Sequence, residues 1–541
     1  MTKHTAAHAR LRGRAHALAS AYSLYAYRNW LARRPLKNPI TAMNSRAMIG
    51  RGDLVSVPEL AALAHLPVDP AAVGLARAGA RAVPPPPGIP SPDPAAGIKP
   101  LGIADAGSER PVGIKAADAR QHLHLLGATG SGKSTLMMRM ALDDVEAGRG
   151  AVLIDPKGDM IKDLLGCLPE KALGKVVLFD PDDASAPPRL NVLQAATPEE
   201  RDMVTDNLVG IFKRIFAAYW GPRTDDIFRA ACLTLLHTDP GGEGTVTLAD
   251  VPKLLEDPTF RRRNTAGLRD EILSGFWAWY EDLSPASRSA AIGPLMNKLR
   301  AFLLRQFVRD SIASPGPSSF DMGKVLDGGL CMVRVPKGAM GEENARLLGS
   351  FLVAKTWQAA SNRARLAYRE RIDATLYIDE CHNFLTLPYS MQDMLAEARG
   401  YGLSLVLAHQ NLAQLPKDLR EGVSANARTK IYFNASPEDA VDLERHTAPI
   451  LTSHDLAHLG LFQAAARVVV DLEERPAFTL RTQPVPEQIP GRAEAVRRSA
   501  RMAYGAPPGE RFTPPKNTTG EQAKPAPPAQ RPDPRALPTG E

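Results

Sequence analysis

Three features of the sequence predict an α/β fold. Short β-rich runs alternate with helical stretches, a glycine-rich loop closes the first interior run, and the strand pattern lapses in mid-chain. The expected architecture is a largely parallel, buried central sheet carrying an all-α insertion. It is flanked by a basic N-terminal region and a disordered C-terminal tail. The strand runs are His122 to Leu126, Ala151 to Ile154, Lys175 to Phe179, Leu330 to Val335, Thr375 to Ile378, Leu403 to Ala408, Lys430 to Phe433 and Ala466 to Val470. One helix start is legible in detail. Ser436 is placed as N-cap, Pro437 as first helical residue, and Glu438 and Asp439 as an acidic first turn.

Between about Thr197 and Asp310 the apolar spacing turns helical, as in Met203, Leu208, Ile211, Phe212 and Ile215, then Leu299, Phe302, Leu303 and Phe307. The organisation expected is a basic, mostly helical region over 1–80, a Pro-rich linker over 81–110 and a first sheet-forming part over 111–196. An all-α insertion over 197–312, a second sheet-forming part over 313–484 and a Pro-rich disordered tail over 485–541 follow. Prolines 84–87, 90, 92 and 94 motivate the linker, since they favour extended chain over packed structure. The tail is dense in Pro, Gly and basic residues after Pro507.

Composition narrows the function. At 541 residues and 44% hydrophobic content the chain can bury a sizeable core. Cys167, Cys232, Cys331 and Cys381 are widely spaced, with no C-x-x-C pair, arguing against a zinc site or disulfide framework and for a reducing compartment. No run approaches the roughly 18 apolar residues of a spanning helix, and the N-terminus lacks the apolar core of a signal peptide. A cytoplasmic protein is expected. Net charge is +7, and the first 52 residues hold ten Lys or Arg and no Asp or Glu. Nucleic-acid phosphates and anionic lipid headgroups are both candidate partners for that arm, against a solvated leader with none.

The chemistry lies in Gly127-Ala128-Thr129-Gly130-Ser131-Gly132-Lys133-Ser134, which fits G-x-x-x-x-G-K-[ST] and sits between a strand and a helix. Its glycines let backbone N–H groups close on phosphate oxygens at a helix N-terminus. Lys133 is expected to contact the β- and γ-phosphates of ATP, and Ser134 to hold Mg²⁺. These residues with Thr135 form the expected binding loop of a P-loop NTPase, RecA-like in its sheet.

Thr375-Leu-Tyr-Ile-Asp-Glu380 is an apolar strand ending in two carboxylates, and alternation along a strand gives them different tasks. Asp379 is expected in the Mg²⁺ shell and Glu380 to polarise the attacking water, the requirement that separates a hydrolase from a nucleotide binder. Ala151-Val-Leu-Ile-Asp-Pro-Lys-Gly-Asp159 places two acids and a lysine after another buried strand; Asp155 supports metal or loop, and Lys157 and Asp159 form a structural ion pair or serve the site. Gln410, ending the strand that follows Arg399-Gly-Tyr-Gly-Leu403, is positioned to sense the γ-phosphate, and Arg399 to reach a neighbouring subunit's nucleotide. No L-S-G-G-Q or N-K-x-D segment occurs, arguing against a transporter-type ATPase and a GTPase. His454 and His458, without the Glu of H-E-x-x-H, are read as helix-surface residues.

In this order, Gly127 to Thr135, Asp155 to Asp159, Tyr377 to Glu380 and Arg399 to Gln410 resemble the HerA/FtsK-like motor ATPases, and within them the conjugative coupling ATPases of type IV secretion systems. The resemblance spans roughly Pro111 to Thr482, and the helical insertion is similar to the all-α domain of coupling proteins. It implies a hexameric ring with ATP at subunit interfaces. Lys133, Ser134, Asp379, Glu380 and Gln410 act in cis, Arg399 matches the trans-acting arginine, and DNA passes through the channel. Trp220-Gly-Pro-Arg-Thr-Asp225 is similar to a segment of related conjugation ATPases, which makes Arg223 a second intersubunit candidate. Coupling proteins commonly carry N-terminal transmembrane helices, and this sequence has none. The arm with Tyr22, Tyr25, Tyr27 and Trp30 suits docking at the cytoplasmic face of the inner membrane, on a secretion component, or on DNA.

The leading expectation is an ATP-driven DNA translocase feeding a conjugation channel. The alternatives are a channel- or pilus-assembly ATPase acting on proteins, a cytosolic HerA-like DNA-processing motor, and a non-hydrolysing, nucleotide-gated scaffold.

Overall fold

A computed structural model of the chain describes residues 79–506 except 184, 386, 387 and 389, together with positions 13, 14, 16, 17, 20, 44, 56, 57 and 60. Apart from those isolated positions the basic arm lies outside the described residues, as does the whole segment 507–541, and with them the expectations placed there.

The sheet is built from β1 (Ile98–Ala104), β2 (Pro111–Lys115), β3 (Leu123–Leu126), β4 (Gly150–Asp155), β5 (Val176–Phe179), β6 (Leu330–Arg334) and β7 (Ala374–Ile378). It continues with β8 (Leu403–His409), β9 (Thr429–Tyr432), β10 (Gln463–Arg467) and β13 (Phe478–Arg481), while β11 (Val469–Val470) and β12 (Glu473–Glu474) form a separate ribbon. The order is β2-β1-β13-β10-β9-β3-β8-β7-β4-β6-β5. From β9 to β5 every pairing is parallel, whereas β10, β13, β1 and β2 add antiparallel strands. The parallel strands are buried on both faces, which is why they read as continuous apolar runs. All eight expected strands are present. The last one divides at Val468 into β10 and β11.

Alternate residues feed two cores. Val152, Ile154, Leu376, Ile378, Leu405 and Leu407 face one, with the insertion helices. Leu123, Leu125, Leu153, Tyr377, Val406 and Ala408 face the other, with the helix Lys133–Glu146. Among the described residues the named elements between β5 and β6 are all helical, the first being the helix Pro198–Ile215, where the Thr197 hydroxyl caps Glu200 N. Ser436 caps Asp439 N with Pro437 in the first turn, as its sequence indicates.

Two expectations are corrected. The segment 81–110, expected as a linker, contains β1, which pairs with β2 and β13. Pro100 is accommodated beside an irregularity in the β1–β2 register, and Lys99 is 1% exposed, its charge neutralised inside the fold. The expected tail contains a helix, Arg492–Tyr504, within its first residues. Val496 and Ala500 are buried, and Arg497 and Arg501 pair with Asp180 and Asp183 of the loop after β5. Those partners, distant in sequence, supply what the helix's own low apolar content does not. Among the described residues no helix is long and apolar enough to cross a membrane.

Candidate nucleotide site

Parallel pairing brings the carboxyl ends of β3, β8, β7 and β4 to one edge, where Leu126 stands opposite His409, Leu407 opposite Ile378, and Ile378 opposite Ile154. The crevice outside such strand ends is where open α/β sheets bind ligands. The loop after β3 is pinned from neighbouring strands. Gly127 N donates to His409 O (3.4 Å), Ala128 N to Asn434 O (3.1 Å) and Phe462 N to Ser131 O (3.1 Å). Gly132 (φ 123°) must be glycine on two counts. Its backbone is unfavourable for an L-residue, and a Cβ there would stand 2.9 Å from Phe433 Cε1 and 3.1 Å from both Phe462 Cδ1 and Thr482 Oγ1.

The helix Lys133–Glu146 starts at this glycine, and its first internal acceptor serves Leu136 N, which donates to Gly132 O. The amides of Lys133, Ser134 and Thr135 precede it and are the donors a helix N-terminus offers to an anion. The Lys133 ammonium folds back on the loop, donating to Gly127 O (2.5 Å) and Ala128 O (3.1 Å). Burial lowers its pKa, opposed by Asp379 and Glu380. Ala128, Thr129 and Gly130 are exposed, and Ser134 and Thr135 half-buried.

Asp379 is 3% exposed and follows the last residue of β7. Burial, then the charges of Glu380 and Asp155, push its carboxyl up to about 6, with Lys157 and Lys133 acting against them. Glu380 lies beyond the strand in the left-handed region (φ 48°), so a turn rather than strand alternation aims it. That conformation is costly for a non-glycine residue and typical of functional positions. Its Oε1 accepts from Gln410 Nε2 (2.5 Å) and lies 3.4 Å from Lys157 Nζ, while its Oε2 is buried with no protein partner. A cavity of about 470 Å³ opens beside it, lined in part by Lys157, Lys337, Glu380, His382 and Gln410.

The ion pair considered between Lys157 and Asp159 is corrected: Lys157 reaches Glu380 instead. Asp155 serves the loop. Its Oδ1 accepts from Lys157 N (2.9 Å) and its Oδ2 from Ile161 N (3.2 Å). Under that turn lies Arg334, which no motif flagged. It bonds Asp180 (2.6 Å) and packs so closely under Gly158 that a Cβ there would stand 2.4 Å from its Nε.

Lys133, Asp379, Glu380 and Gln410 therefore converge. Arg399 does not join them. It is exposed at the opposite end of β8, donating to Gln121 Oε1 (3.3 Å), and seven residues of strand separate it from Gln410, roughly 20 Å at the usual rise. Arg223 is exposed on the insertion. His454 and His458 are exposed and stack on each other 4.1 Å apart.

Sequence reasoning missed three supports. His124 and His409 share a 2.6 Å contact between their Nε2 atoms directly beneath Gly127 and Gln410. Lys99 Nζ reaches Asp144 of the phosphate helix and Thr375 of β7 (2.8 Å each), and Tyr377 donates to the same Asp144 oxygen (2.6 Å). Phe462 and Thr482 close over Gly132. Only proximity in space links these residues, so no spacing in the chain announces them.

Fold and site together define a P-loop NTPase. Two family models match parts of the chain: "Helicase HerA, central domain" over residues 100–208, and "TraM recognition site of TraD and TraG" over residues 373–445. No curated protein matches the sequence. Among solved structures, the plasmid coupling protein TrwB with the non-hydrolysable ATP analogue ADPNP is similar at 16% identity, with 77% of this chain and 97% of that chain covered and a TM-score of 0.52. Unbound TrwBdeltaN70 is similar at 16% identity, covering 70% and 88%, with a TM-score of 0.50. VirB4 of Thermoanaerobacter pseudethanolicus matches at 14% identity, covering 73% and 98%, with a TM-score of 0.48. Within that class the chain resembles the HerA and TraD/TraG families over the two matched segments, and its fold is similar to that of the coupling protein TrwB.

Proposed function

We propose that this protein is an ATP-hydrolysing motor of the conjugative coupling type that moves DNA through a ring of its own subunits. The observation that carries the hydrolytic part is the Glu380–Gln410 contact beside Lys133 and Asp379, with one Glu380 oxygen left unpartnered.

The residues fit a nucleoside triphosphate with Mg²⁺. A lysine held by two weak carbonyl acceptors has its charge available for phosphate, and an uncapped helix N-terminus offers three amides. Ser134 and Asp379 would hold the ion, which supplies charge neutralisation on the phosphates when bound. The loop 127–132 orients the phosphates. Glu380, held in direction by Gln410, accepts the proton of the attacking water, and the burial of its carboxylate keeps bulk water from competing.

The DNA part rests on the HerA and TraG/TraD family matches and on the basic N-terminal sequence. A ring is favoured by Arg399, which lies far from its own site yet exposed, as a residue acting on the next subunit must be. Type IV secretion components and the cytoplasmic membrane face complete the proposed setting. Steady-state ATP hydrolysis with no DNA, single-stranded DNA and duplex DNA, beside Glu380→Gln, tests this. DNA stimulation abolished by the substitution is expected. DNA-indifferent hydrolysis points to a protein-directed secretion ATPase, and absence of hydrolysis to the scaffold.

A further inference from the structure

The triphosphate's direction follows from the strand order. The hydrolytic groups Asp379, Glu380 and Gln410 end β7 and β8, on one side of β3, whereas β9, β10 and β13 lie on the other. A nucleotide with its terminal phosphate at Glu380 must lead its sugar and base toward the second side.

There the turn before β10 meets the phosphate loop. Phe462 N donates to Ser131 O (3.1 Å) and Thr482 N donates to Phe462 O (2.9 Å), so turn, loop and the end of β13 are bolted together. Phe462 is 41% exposed, and its neighbour Leu461 65%. Its backbone is left-handed (φ 60°), a conformation at ease with glycine or asparagine and unfavourable for a bulky aromatic. Packing alone does not account for an aromatic ring held so, at the mouth of a phosphate loop. In the same crevice the Ser131 and Thr482 hydroxyls, in side chains 7% and 8% exposed, are buried without a partner in the protein. Gln463, which follows, is already engaged at both ends of its amide, with Asp105 (2.5 Å) and Gly460 N (2.8 Å). Phe462, with Leu461 beside it, is the exposed apolar surface on this side.

We propose that Phe462 is the nucleobase platform of the site, its ring stacking on the base of the bound nucleoside triphosphate. This rests on the nucleotide site proposed above and adds a specific contact to it. It requires no DNA and no ring.

The test is calorimetric titration of the full chain with ADPNP·Mg²⁺ and, separately, with inorganic tripolyphosphate, for the wild type, Phe462→Gly and Phe462→Tyr. Glycine is relaxed at this φ, so the fold is not put at risk. Phe462→Gly is expected to weaken ADPNP about tenfold, the order of one base–aromatic stack, and to leave tripolyphosphate binding unchanged, whereas Phe462→Tyr retains both. Unchanged ADPNP affinity in Phe462→Gly overturns the inference while the nucleotide site stands. Equal loss of both ligands also overturns it, by showing that the ring only supports the loop. A wild type that binds neither ligand overturns the nucleotide site itself.

Discussion

Gln410 Nε2 lies 2.5 Å from Glu380 Oε1, joining the end of β8 to the turn after β7. The bond fixes a carboxylate that strand geometry alone leaves unaimed. Gln410→Ala is therefore expected to lower kcat by about 10²-fold, the lower end of the usual range for positioned general base catalysis, with KM for ATP little changed. Glu380→Gln lowers it at least as far, and the double substitution no further than Glu380→Gln alone. Single-turnover and steady-state assays of the three variants check this.

Lys133 is held by Gly127 O and Ala128 O in a buried setting that depresses its pKa. Its charge is kept for phosphate rather than for the fold. Lys133→Ala is expected to abolish the rise in melting temperature that ADPNP·Mg²⁺ gives the wild type, without lowering the melting temperature of the unliganded protein by more than a few degrees. Differential scanning fluorimetry decides it.

Arg399 faces away from its own phosphate loop. Arg399→Ala and Glu380→Gln subunits, each inactive alone, should therefore regain part of their activity when mixed, because a mixed interface can contain one intact Glu380 and one intact Arg399. No recovery at any mixing ratio would remove Arg399 from the interface, and Arg223→Ala is then tested the same way.

Lys99, Asp144 and Arg149 form a buried charge network closed by Tyr377 and Thr375. Removing one partner leaves the others uncompensated, so Lys99→Met is expected to cost about 3 kcal/mol in urea unfolding, the low end for breaking a buried pair because Arg149 still holds Asp144. Asp144→Leu costs more, since it strands Lys99 and leaves Arg149 with Asp143 as its one remaining carboxylate partner.

His409 donates from Nδ1 to Asn411 O (2.9 Å), so its Nε2 is the acceptor in the contact with His124, and both rings are neutral. Burial first holds the His409 pKa near 4, against an ordinary 6.5, and drives His124 well below its own ordinary value. A folded value below the unfolded one means stability is fully present above about pH 6.5 and is lost as pH falls toward 4. The loss for His409 amounts to about 3 kcal/mol at most. Urea midpoints measured from pH 7 to pH 4.5 should fall more steeply in the wild type than in His409→Gln.

The eight strands, the helical insertion, the Ser436 cap and the phosphate loop were legible because each is a local pattern. Burial on both faces makes an apolar run, a helix start has a fixed residue order, and a phosphate cradle needs glycines at set spacings. The strand Ile98–Ala104 was masked by the prolines before it, and the helix Arg492–Tyr504 by its charge, since both are stabilised by partners far along the chain.

What the sequence determined by itself is the chemistry on offer: a lysine after three glycines, two acids after a strand, and a glutamine after another. What only the tertiary structure decided is which groups meet. Strand order places β8 between the phosphate strand and the acidic strand, and so puts Gln410 on Glu380. A left-handed turn aims that carboxylate at Lys157 instead of leaving Lys157 to Asp159. Pairing of β10 and β13 beyond β9 brings Phe462 and Thr482 onto Gly132. The reason is physical. Local sequence fixes backbone preference over a few residues, whereas a site is made by contacts whose partners are hundreds of residues apart and are selected by how a single sheet buries both its faces.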